Sequence, residues 1–382
     1  MNIQLLNKIA AVGLNQLDNS YNVGENVENP DGIMVRSAVM HEMEFDPSLK
    51  AIARAGAGVN NIPIERCSES GIVVFNTPGA NANGVKELAI CALLLAARDV
   101  VGGIAWANTL TEDVAKQVEK GKSKFGGTEL MGKTLGVIGL GAIGGKIANT
   151  AIHLGMNVIG CDPFLSIEGA WNLNHRVNRA ATYDEVFEKA DYITLHVPAT
   201  KETKNMICTE SIAKMKNGVK IINLSRADLV NAEELKAALA DGKVSAYVTD
   251  FPTEEVINTP GVVAIPHLGA STEESEDNCA VMAARQLDDY LKNGNIKNSV
   301  NYPNVEMPRS GVARICVLHQ NIPSILTKIT AAVADEGLNI ENLTNKSKGE
   351  NAYTLLDVSS TPSEDAIARI ASVEGINRVR VI

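Results

Sequence analysis

Three ionisable residues follow three successive predicted strands in the second half of the chain. Arg226 comes after the strand "VKIINLS", Glu254 after "SAYVTDF", and His267 after "VVAIP". Ligands of open α/β sheets bind outside the carboxyl ends of the strands, so these residues are expected at one edge of a sheet. A guanidinium can hold a carboxylate through two hydrogen bonds, an imidazole can transfer a proton near neutral pH, and a neighbouring carboxylate can fix its tautomer. The pattern predicts acid–base chemistry on an anionic substrate, with His267 as the acid–base.

Each of the three residues also has an ordinary structural alternative. Arg226 could form a surface ion pair, Glu254 could be a solvated carboxylate in a loop, and His267 could be an imidazole buried at a strand end. Their shared placement after strands of one sheet favours the chemical interpretation over these alternatives.

A glycine-rich turn precedes these residues. The stretch "TLGVIGLGAIGGKIA" contains Gly139-x-Gly141-x-x-Gly144 between a predicted strand and a predicted helix, and Asp162 ends the next strand, 18 residues past Gly144. Such glycines permit a tight turn, backbone contact with a pyrophosphate and close packing of helix on strand. A carboxylate at that place accepts hydrogen bonds from ribose hydroxyls and repels a 2′-phosphate, and the two residues after it are not arginines. We therefore expect NAD rather than NADP, and the alternative is a glycine-rich turn without a nucleotide.

Short apolar strands alternate with amphipathic helices through most of the chain. The alternation predicts an α/β fold with parallel sheets covered by helices on both faces. The two prolines and the turn-forming residues of 303–311 predict a linker. Residues 312–382 then show a βαββαβ order, which is typical of a ferredoxin-like domain.

The composition bounds the class of protein. With 382 residues, 45% of them hydrophobic, the chain is long enough for two or three globular domains. A net charge of −10 argues against binding to nucleic acid or to an anionic membrane. The six cysteines are widely separated and show no metal-ligand spacing, so we expect no metal site. No signal peptide is recognisable and the apolar run at 88–97 is too short to span a bilayer, so we expect a cytoplasmic location.

Several motifs together resemble the D-2-hydroxyacid dehydrogenase family over essentially the whole chain. They are "VRSA" (35–38), "GAGVNNI" (56–62), "NTPGANANGVKELAI" (76–90), "GLGAIG", "LHVP", "NLSRADLV", "DFPTE" and "PHLGAST". In that family the arginine, glutamate and histidine of the last three motifs do the chemistry. The resemblance therefore implies catalytic roles for Arg226, Glu254 and His267.

The resemblance also implies a domain organisation. The family fold is a doubly wound, parallel-sheet nucleotide domain inserted into a flavodoxin-like substrate domain that is discontinuous in sequence. We accordingly expect a substrate-binding domain of residues 1–97 and 283–302, an NAD-binding Rossmann domain of 98–282, a linker of 303–311 and an ACT-like domain of 312–382. Family members usually pair through the nucleotide domain, which implies a homodimer or homotetramer.

Within the family, the chain resembles the members that oxidise 3-phosphoglycerate with NAD to begin serine biosynthesis. A phosphorylated 2-hydroxy acid needs a second cationic site besides the one for its carboxylate. The substrate-binding candidates are Arg36, Ser37, Arg54, Gly58, Asn81 and Lys86, of which Arg54 and Lys86 are proposed only because they flank the same loops; a plain surface charge is the alternative for the cations. The candidate cofactor-binding residues are Gly139, Gly141, Ala142, Ile143, Gly144, Asp162, His196, Val197, Pro198, Ser225, Asp250 and Gly269.

Two departures from the family pattern affect these assignments. The family usually has an aspartate two residues before the phenylalanine of "DVF", where this chain has Thr249, and Asp250 comes one residue later. A local shift there would alter the contact with nicotinamide. Two glutamates, Glu254 and Glu255, also run together, and alignment on "FPTE" selects Glu254.

The C-terminal pattern resembles an ACT domain, an amino-acid-sensing module. In serine-inhibited relatives a histidine, an asparagine two residues later and a further asparagine line an effector site between paired domains, and His319, Asn321 and Asn339 match them. The resemblance implies L-serine as a possible effector, and side-chain amides suit a zwitterionic ligand. Ser324 replaces the usual glycine and could crowd the carboxylate of the ligand. The alternative is an ACT domain that only assembles subunits.

Two other functions are compatible with the same motifs. The first is reduction of hydroxypyruvate, glyoxylate or a branched 2-oxo acid, which needs no second cationic site. The second is an NAD-sensing interaction protein that shares the fold, against which the ACT-like C-terminal region counts.

Overall fold

The computed structural model describes the chain from Met1 to Ile382. The residues form two compact units, one of residues 1–80 together with 276–382 and the other of residues 81–275. The second unit is therefore inserted in sequence between two parts of the first.

Sixteen strands and thirteen α-helices follow one another along the chain. Residues 1–80 contain β1 (Asn2–Leu5), α1 (Ala11–Leu14), β2 (Asn22–Gly24), β3 (Gly32–Val35), β4 (Ala51–Arg54), α2 (Ile64–Glu69) and β5 (Val73–Phe75). The next stretch contains α3 (Ala82–Ala97), α4 (Val100–Ala107), α5 (Val114–Gly121), β6 (Thr134–Ile138), α6 (Gly144–His153), β7 (Asn157–Cys161), α7 (Ile167–Trp171), β8 (Val177–Arg179), α8 (Tyr183–Lys189), β9 (Tyr192–Leu195), α9 (Thr209–Lys214), β10 (Val219–Asn223), α10 (Ala232–Ala240), β11 (Val244–Thr249) and β12 (Val262–Ala264). The last stretch contains α11 (Glu273–Asn293), β13 (Ala313–Gln320), α12 (Ile325–Asp335), β14 (Ile340–Lys348), β15 (Asn351–Val358), α13 (Glu364–Ala371) and β16 (Ile376–Val381).

The N-terminal part of the first unit is a five-stranded parallel sheet in the order β2-β1-β3-β4-β5. This is the strand order of flavodoxin-like folds, so the predicted class is confirmed here. Successive residues of β3 and β4 pack into different apolar clusters, Met34 and Ala53 with residues of α11, and Ile33 and Ile52 with Cys67 of α2. Strands β3 and β5 are apolar throughout, as expected where both faces of the sheet are covered.

The second unit contains a seven-stranded parallel sheet in the order β12-β11-β10-β9-β6-β7-β8. The chain runs outward in opposite directions from β6, which is the doubly wound arrangement predicted for this part. Two apolar clusters cover its two faces. The carboxyl ends of β6, β9, β10 and β11 are neighbours, because the sheet is parallel throughout, and the loops at that edge carry the predicted cofactor and catalytic residues.

Helix α3 packs against α6, β10 and β11 within the second unit. The domain bounds expected from the sequence assign this helix to the substrate-binding domain, and those bounds stay a prediction. Its buried face, which includes Ala89, Ala92, Leu93 and Ala96, joins the cluster of the seven-stranded sheet.

No single helix is long and apolar enough to span a membrane; α3 and α4 reach that length and hydropathy only together, and a 72° bend separates them.

The C-terminal part of the first unit is a four-stranded antiparallel sheet in the order β14-β15-β13-β16, with the predicted βαββαβ connectivity. One face packs under α12 and α13. The other face contributes Cys316, Leu318, Tyr353 and Leu355 to the cluster around α11. Seven side chains of this sheet also donate hydrogen bonds to main-chain carbonyls of residues 47–68 and 290–308, namely Arg314, Lys348, Asn351, Tyr353, Asn377, Arg378 and Arg380.

A fully buried ion pair holds the segment predicted as a linker. Arg314 contacts both carboxylate oxygens of Asp357, at 2.6 and 2.9 Å, and donates to the carbonyls of Asn293 and Pro308. The same carboxylate accepts the backbone N–H of Ser310 at 2.7 Å. The side chains of Arg314 and Asp357 are fully buried, and they form hydrogen bonds with Pro308 and Ser310 of the predicted linker. These buried hydrogen bonds attach the linker to the C-terminal sheet.

Candidate active site

The glycine-rich turn connects β6 to α6. Gly139 has φ of +88°, and a side chain there would come 2.4 Å from the carbonyl oxygen of His196. A side chain at Gly144 would come 1.9 Å from the carbonyl oxygen of Gly139, whereas one at Gly141 would meet nothing within 4 Å. The first and third glycines are therefore required by the fold, and the second leaves backbone accessible from a cleft of about 550 Å³.

Asp162 lies at the edge of the same cleft, directly after β7. One carboxylate oxygen accepts the backbone N–H of Leu140 at 2.9 Å, and the other accepts that of Phe164 at 2.9 Å. These bonds fix the carboxylate beside the glycine turn and leave a free lone pair on each oxygen for ribose hydroxyls. Ala142 also lines the cleft, and Ile143 is the residue before α6.

The segment His196–Pro198 follows β9 and lies against the glycine turn. The backbone N–H of His196 donates to the carbonyl of Ile138 at 2.7 Å. Its imidazole contacts the Thr194 hydroxyl through Nε2 at 2.8 Å, and burial lowers the pKa of this histidine to about 3, so the ring is neutral at physiological pH. Its Nδ1 is buried with no partner in the protein.

Two of the three residues predicted to react meet at one aromatic ring. The ring centre of His267 lies 4.3 Å from that of Phe251, at an interplanar angle of 47°, and the Arg226 guanidinium carbon lies 5.3 Å from the same centre. Arg226 also donates to the carbonyl of Ser225 at 2.6 Å, and both Arg226 and His267 are exposed. Phe251 was not predicted from the sequence as a site residue, although its place two residues after the end of β11 brings it to this edge.

The carboxyl group of Asp250 lies beneath these side chains. Asp250 is 1% exposed, and burial raises its pKa, while the charges of His267 and Arg226 and the backbone N–H of Gly269 act in the opposite direction. Its Oδ1 is buried without a partner. An unsatisfied buried acceptor is suited to an amide N–H of a ligand, so the residues at this edge fit a nicotinamide carboxamide.

The strand pairing places Thr249 at the end of β11, opposite Asn223 of β10 and Ala264 of β12. The register with β10 shifts by one residue earlier in β11, because Val219 pairs with Val244 and Lys220 pairs with Ala246. The effect of the departure at Thr249 and Asp250 on the nicotinamide contact stays a prediction. The Thr249 hydroxyl accepts the backbone N–H of Phe251 at 3.0 Å, which shapes the turn that holds Asp250.

Glu254 lies apart from the imidazole. It is exposed in the turn that follows Phe251, and no hydrogen bond or ion pair joins it to His267. In the same turn Val256 is buried, whereas Glu254 and Glu255 are exposed to solvent. The carboxyl group that interacts electrostatically with His267 is instead that of Asp250. The catalytic role of Glu254 stays a prediction.

The first unit carries four of the predicted substrate-binding residues. Arg36 follows β3 and Arg54 ends β4, and the two strands are adjacent, with Val35 opposite Arg54. Arg54 Nε donates to the carbonyl of Arg36 at 3.1 Å, and its guanidinium lies beside Gly56 and Gly58. Burial and the nearby charge of Arg36 lower the pKa of Arg54.

Two further side chains hold this loop. Asn7 Oδ1 accepts the consecutive backbone N–H groups of Arg36, Ser37 and Ala38, at 3.0, 2.9 and 2.9 Å. Glu276 forms an ion pair with Arg36 at 2.5 Å. Neither Asn7 nor Glu276 was predicted, because each is distant in sequence from the loop that it contacts.

The second unit carries the other two predicted substrate-binding residues, at the start of α3. Asn81 precedes the helix without capping it through its side chain, and Lys86 lies 3.3 Å from Glu87. A side chain at Gly84 would come within 3.0 Å of the carbonyl oxygen of Gly269, so the start of α3 packs tightly on the loop after His267.

The predicted effector residues lie at two ends of the C-terminal sheet. His319 is buried and contacts the Thr354 hydroxyl and the Gln320 carbonyl, both at 2.8 Å, and burial lowers its pKa. Asn321 donates to the carbonyl of Gly349 at 3.1 Å, next to that end. Asn339 lies at the opposite end, before β14 and beside Ser359. One copy of the domain therefore does not gather the three residues, and a shared site would need a second copy.

Comparison with known proteins agrees with this architecture. The family model for the D-isomer specific 2-hydroxyacid dehydrogenase NAD binding domain matches residues 94–269. The D-3-phosphoglycerate dehydrogenase of Haemophilus influenzae is 31% identical over 367 residues, which cover 92% of this chain and 86% of that protein. The protein of the same name from Methanocaldococcus jannaschii is 36% identical over 324 residues, 82% of this chain but 59% of the relative.

A solved structure gives the same result. The NAD⁺-bound 3-phosphoglycerate dehydrogenase of Entamoeba histolytica superposes with a TM-score of 0.60 at 31% identity, covering 79% of this chain and 98% of that one. Several of the curated relatives are longer, and the chain matches only 54% of the Bacillus subtilis protein. The strand orders, the glycine turn and these matches together show that the chain belongs to the D-isomer specific 2-hydroxyacid dehydrogenase family, with an NAD-binding domain that includes residues 94–269.

Proposed function

We propose that the protein oxidises 3-phosphoglycerate to 3-phosphohydroxypyruvate with NAD, the first step of serine biosynthesis. The observation that supports this substrate is the pair of guanidiniums at adjacent strand ends of the first unit, Arg36 and Arg54. A 2-hydroxy acid that carries only a carboxylate needs one cationic position, and a phosphorylated one needs two. A relative that covers 92% of this chain and a solved structure that covers 79% of it carry the corresponding name.

The proposed mechanism assigns one task to each residue at the sheet edge. Arg226 holds the substrate carboxylate through two N–H donors, and His267 accepts the proton of the C2 hydroxyl on an imidazole nitrogen. NAD held at the glycine turn would supply the acceptor for the hydride of C2. The imidazolium is then stabilised by the neighbouring carboxyl group of Asp250, and Phe251 keeps the ring at its place by direct contact. The sequence also predicts that Glu254 orients the imidazole; Glu254 is exposed and forms no hydrogen bond with His267, so this task stays a prediction.

Binding of the cofactor falls to the glycine turn and its neighbours. The backbone at Gly141 is open to a pyrophosphate, and Asp162 is held in place to accept ribose hydroxyls. Asp250 Oδ1 offers an acceptor to the nicotinamide amide. Ser225, whose hydroxyl donates to the carbonyl of Leu195 at 2.7 Å, ties the Arg226 turn to β9 beside this site.

A second candidate is a reductase of unphosphorylated 2-oxo acids such as hydroxypyruvate or glyoxylate. The observation in its favour is the ion pair between Arg36 and Glu276, because a guanidinium that is already paired attracts a phosphate less strongly.

The test is NADH consumption by the purified protein with 3-phosphohydroxypyruvate, hydroxypyruvate, glyoxylate and pyruvate. A strong preference for the phosphorylated acid would support the proposed substrate. Equal or faster turnover of the others would favour the second candidate, and turnover of none would contradict both.

The assembly that we propose is a homodimer or homotetramer built through the second unit. Leu94, Val100, Val101, Ile104 and Val114 are large apolar residues exposed on and around α4, a helix with no buried residue. An apolar surface of this kind is typical of a subunit interface. Light scattering should give a dimer or larger species for the wild type and a smaller one for Ile104→Asp. A monomeric wild type would contradict the assignment.

The effector that we propose is L-serine, bound between the C-terminal domains of two subunits. Within one chain, Asn339 lies at the opposite end of the sheet from His319 and Asn321. A two-fold pairing of domains would bring Asn339 of one subunit close to His319 and Asn321 of the other, which supports a site shared by two subunits. Inhibition of NADH consumption by serine, lost in Asn339→Ala, would support it, and insensitivity of the wild type would contradict it.

The location that we propose is the cytoplasm.

A further inference from the structure

Three buried polar side chains connect the ends of β10 and β11 beneath the candidate active site. Asn223, Tyr247 and Thr249 are each no more than 2% exposed. Asn223 and Thr249 lie opposite each other in the two strands, and Tyr247 is two residues before Thr249, so all three share one face of the sheet. Buried polar groups are costly unless they are hydrogen-bonded, which makes their partners informative.

The amide of Asn223 uses both of its ends. Its Nδ2 donates to the carbonyl of Arg226 at 2.8 Å and to the Tyr247 hydroxyl at 3.1 Å, and its Oδ1 accepts the backbone N–H of Ser225 at 3.2 Å. These bonds close the turn from which the Arg226 side chain projects. The shape of that turn therefore depends on a side chain that contacts no ligand.

Thr249 acts in the same way on the neighbouring turn. Its hydroxyl accepts the N–H of Phe251 at 3.0 Å, so it holds the turn that carries the Phe251 ring. Each of the two turns is therefore held by a buried side chain, the Arg226 turn by Asn223 with Tyr247 and the Phe251 turn by Thr249. Asn223 and Thr249 lie opposite each other in the paired strands, and above them the Arg226 guanidinium and the His267 ring both lie against the Phe251 ring.

We infer that Tyr247, together with Asn223 and Thr249, positions Arg226 relative to His267 and so sets the geometry between the carboxylate-binding group and the acid–base. The inference rests on the proposed roles of Arg226 and His267. The three residues are positioning residues, since they act through the two turns and do not themselves touch substrate.

The test compares variants that remove one hydroxyl with variants that keep it. Thr249→Val preserves the shape of the side chain but cannot accept the Phe251 N–H, and Thr249→Ser retains the hydroxyl. We expect Thr249→Val to lower kcat/KM about tenfold, Thr249→Ser to remain within about twofold of the wild type, and the KM for NADH to change in neither. Tyr247→Phe should raise the KM for the 2-oxo acid about fivefold, because it loosens the Arg226 turn.

A double variant distinguishes one shared geometry from two separate structural effects. If both turns act on the same placement of Arg226 relative to His267, Tyr247→Phe combined with Thr249→Val should lose about as much activity as the worse single variant, whereas independent effects would multiply. Multiplicative losses would overturn the inference. So would equal losses in Thr249→Ser and Thr249→Val, or losses that only follow a lower melting temperature.

A second readout does not depend on turnover. In spectra of protein labelled with ¹⁵N-histidine, with the His267 signals assigned by His267→Asn, Thr249→Val should shift the His267 ring signals and Thr249→Ser should restore them. If the wild type reduces no 2-oxo acid, the proposed function fails, and this spectrum still decides the positioning role. Unchanged His267 signals in Thr249→Val would overturn it.

Discussion

The imidazole of His267 packs on the phenyl ring of Phe251, with the ring centres 4.3 Å apart and the planes inclined at 47°. The two residues come from the ends of adjacent strands, His267 three residues after β12 and Phe251 two residues after β11. The contact joins the acid–base candidate to the residue that also carries the Arg226 guanidinium on its ring. An aromatic contact of this kind restrains the imidazole without consuming either ring nitrogen, so both nitrogens stay available for proton transfer.

Replacement of Phe251 tests the value of that contact. Phe251→Leu keeps an apolar side chain but removes the ring, and aromatic and cation–π contacts contribute about 0.5–1.5 kcal/mol each, so kcat/KM should fall about tenfold. Steady-state kinetics with the preferred 2-oxo acid would measure it. Phe251→Tyr, which keeps the ring, should retain most of the activity. Equal activity in Phe251→Leu and the wild type would show that the ring does not position His267.

Neutralising Asp250 should change stability and activity in opposite directions. Burial raises the pKa of Asp250, so the folded protein binds this proton more tightly than the unfolded chain. The stability contributed by protonated Asp250 is present below the pKa of the unfolded chain and is lost as the pH rises through the folded pKa. Asp250→Asn stays neutral, and it should increase the free energy of unfolding at pH 7 while lowering turnover, because the imidazolium loses its carboxylate neighbour.

Urea unfolding at two pH values measures the predicted increase in the free energy of unfolding. The gain in Asp250→Asn should be present at pH 7 and absent near about pH 3.5, where the wild-type carboxyl is protonated in both states. Asp241→Asn, an exposed aspartate after α10, provides a control that should show no gain. A similar gain at both pH values would mean that the charge of Asp250 is not its source.

The sequence was informative where local geometry determines the chemistry. The spacing of Gly139, Gly141 and Gly144 is sufficient to predict the turn, because φ and steric contact decide which residues fit. The placement of Arg226 and His267 followed equally from strand ends in a parallel sheet. The distance of Glu254 from His267 could not be predicted, because it depends on an irregular turn whose conformation no periodicity determines.

Contacts between segments far apart in sequence also could not be predicted. Asn7 holds the Arg36 loop from 29 residues away, and Glu276 pairs with Arg36 from 240 residues away. The packing of α3 is similar, since a helix with apolar residues around most of its surface does not indicate which neighbour it will contact. The motif around Thr249 left open a shift, and the strand pairing shows one register irregularity in β11, between the partners of Val219 and Lys220.

Replacement of Ser324 by glycine should stabilise the folded protein. It has φ of +65°, directly before α12, and its side chain does not cap the helix. A left-handed conformation costs a non-glycine residue about 1–2 kcal/mol, and part of this is offset because glycine gains entropy in the unfolded chain. Ser324→Gly should therefore raise the free energy of unfolding by about 0.5–1 kcal/mol in urea titrations. Ser324→Ala, which keeps a Cβ, should give no gain, and a gain there would contradict the backbone explanation.

The ion pair between Arg36 and Glu276 should limit affinity for a phosphorylated substrate. Only Nη2 of Arg36 contacts the carboxylate, at 2.5 Å, so the other guanidinium nitrogens can still bind an anion, but the charge of Glu276 opposes it. Both side chains are nearly half exposed, so screening keeps the effect modest. Glu276→Gln, which retains a hydrogen-bonding oxygen, should lower the KM for 3-phosphohydroxypyruvate about threefold at low salt.

The substrate and the salt dependence together identify the cause of that change. A dianionic phosphate interacts with the charge of Glu276, whereas hydroxypyruvate carries no such group, so its KM should be the same in Glu276→Gln and the wild type. The advantage for the phosphorylated acid should shrink as ionic strength rises, because charges about a Debye length apart become screened. Glu274→Gln, an exposed glutamate of the same helix turn without an ion pair, should change neither KM. If Glu276→Gln lowers the KM for both acids equally, Arg36 binds the carboxylate that the two acids share, and the phosphate must be bound elsewhere.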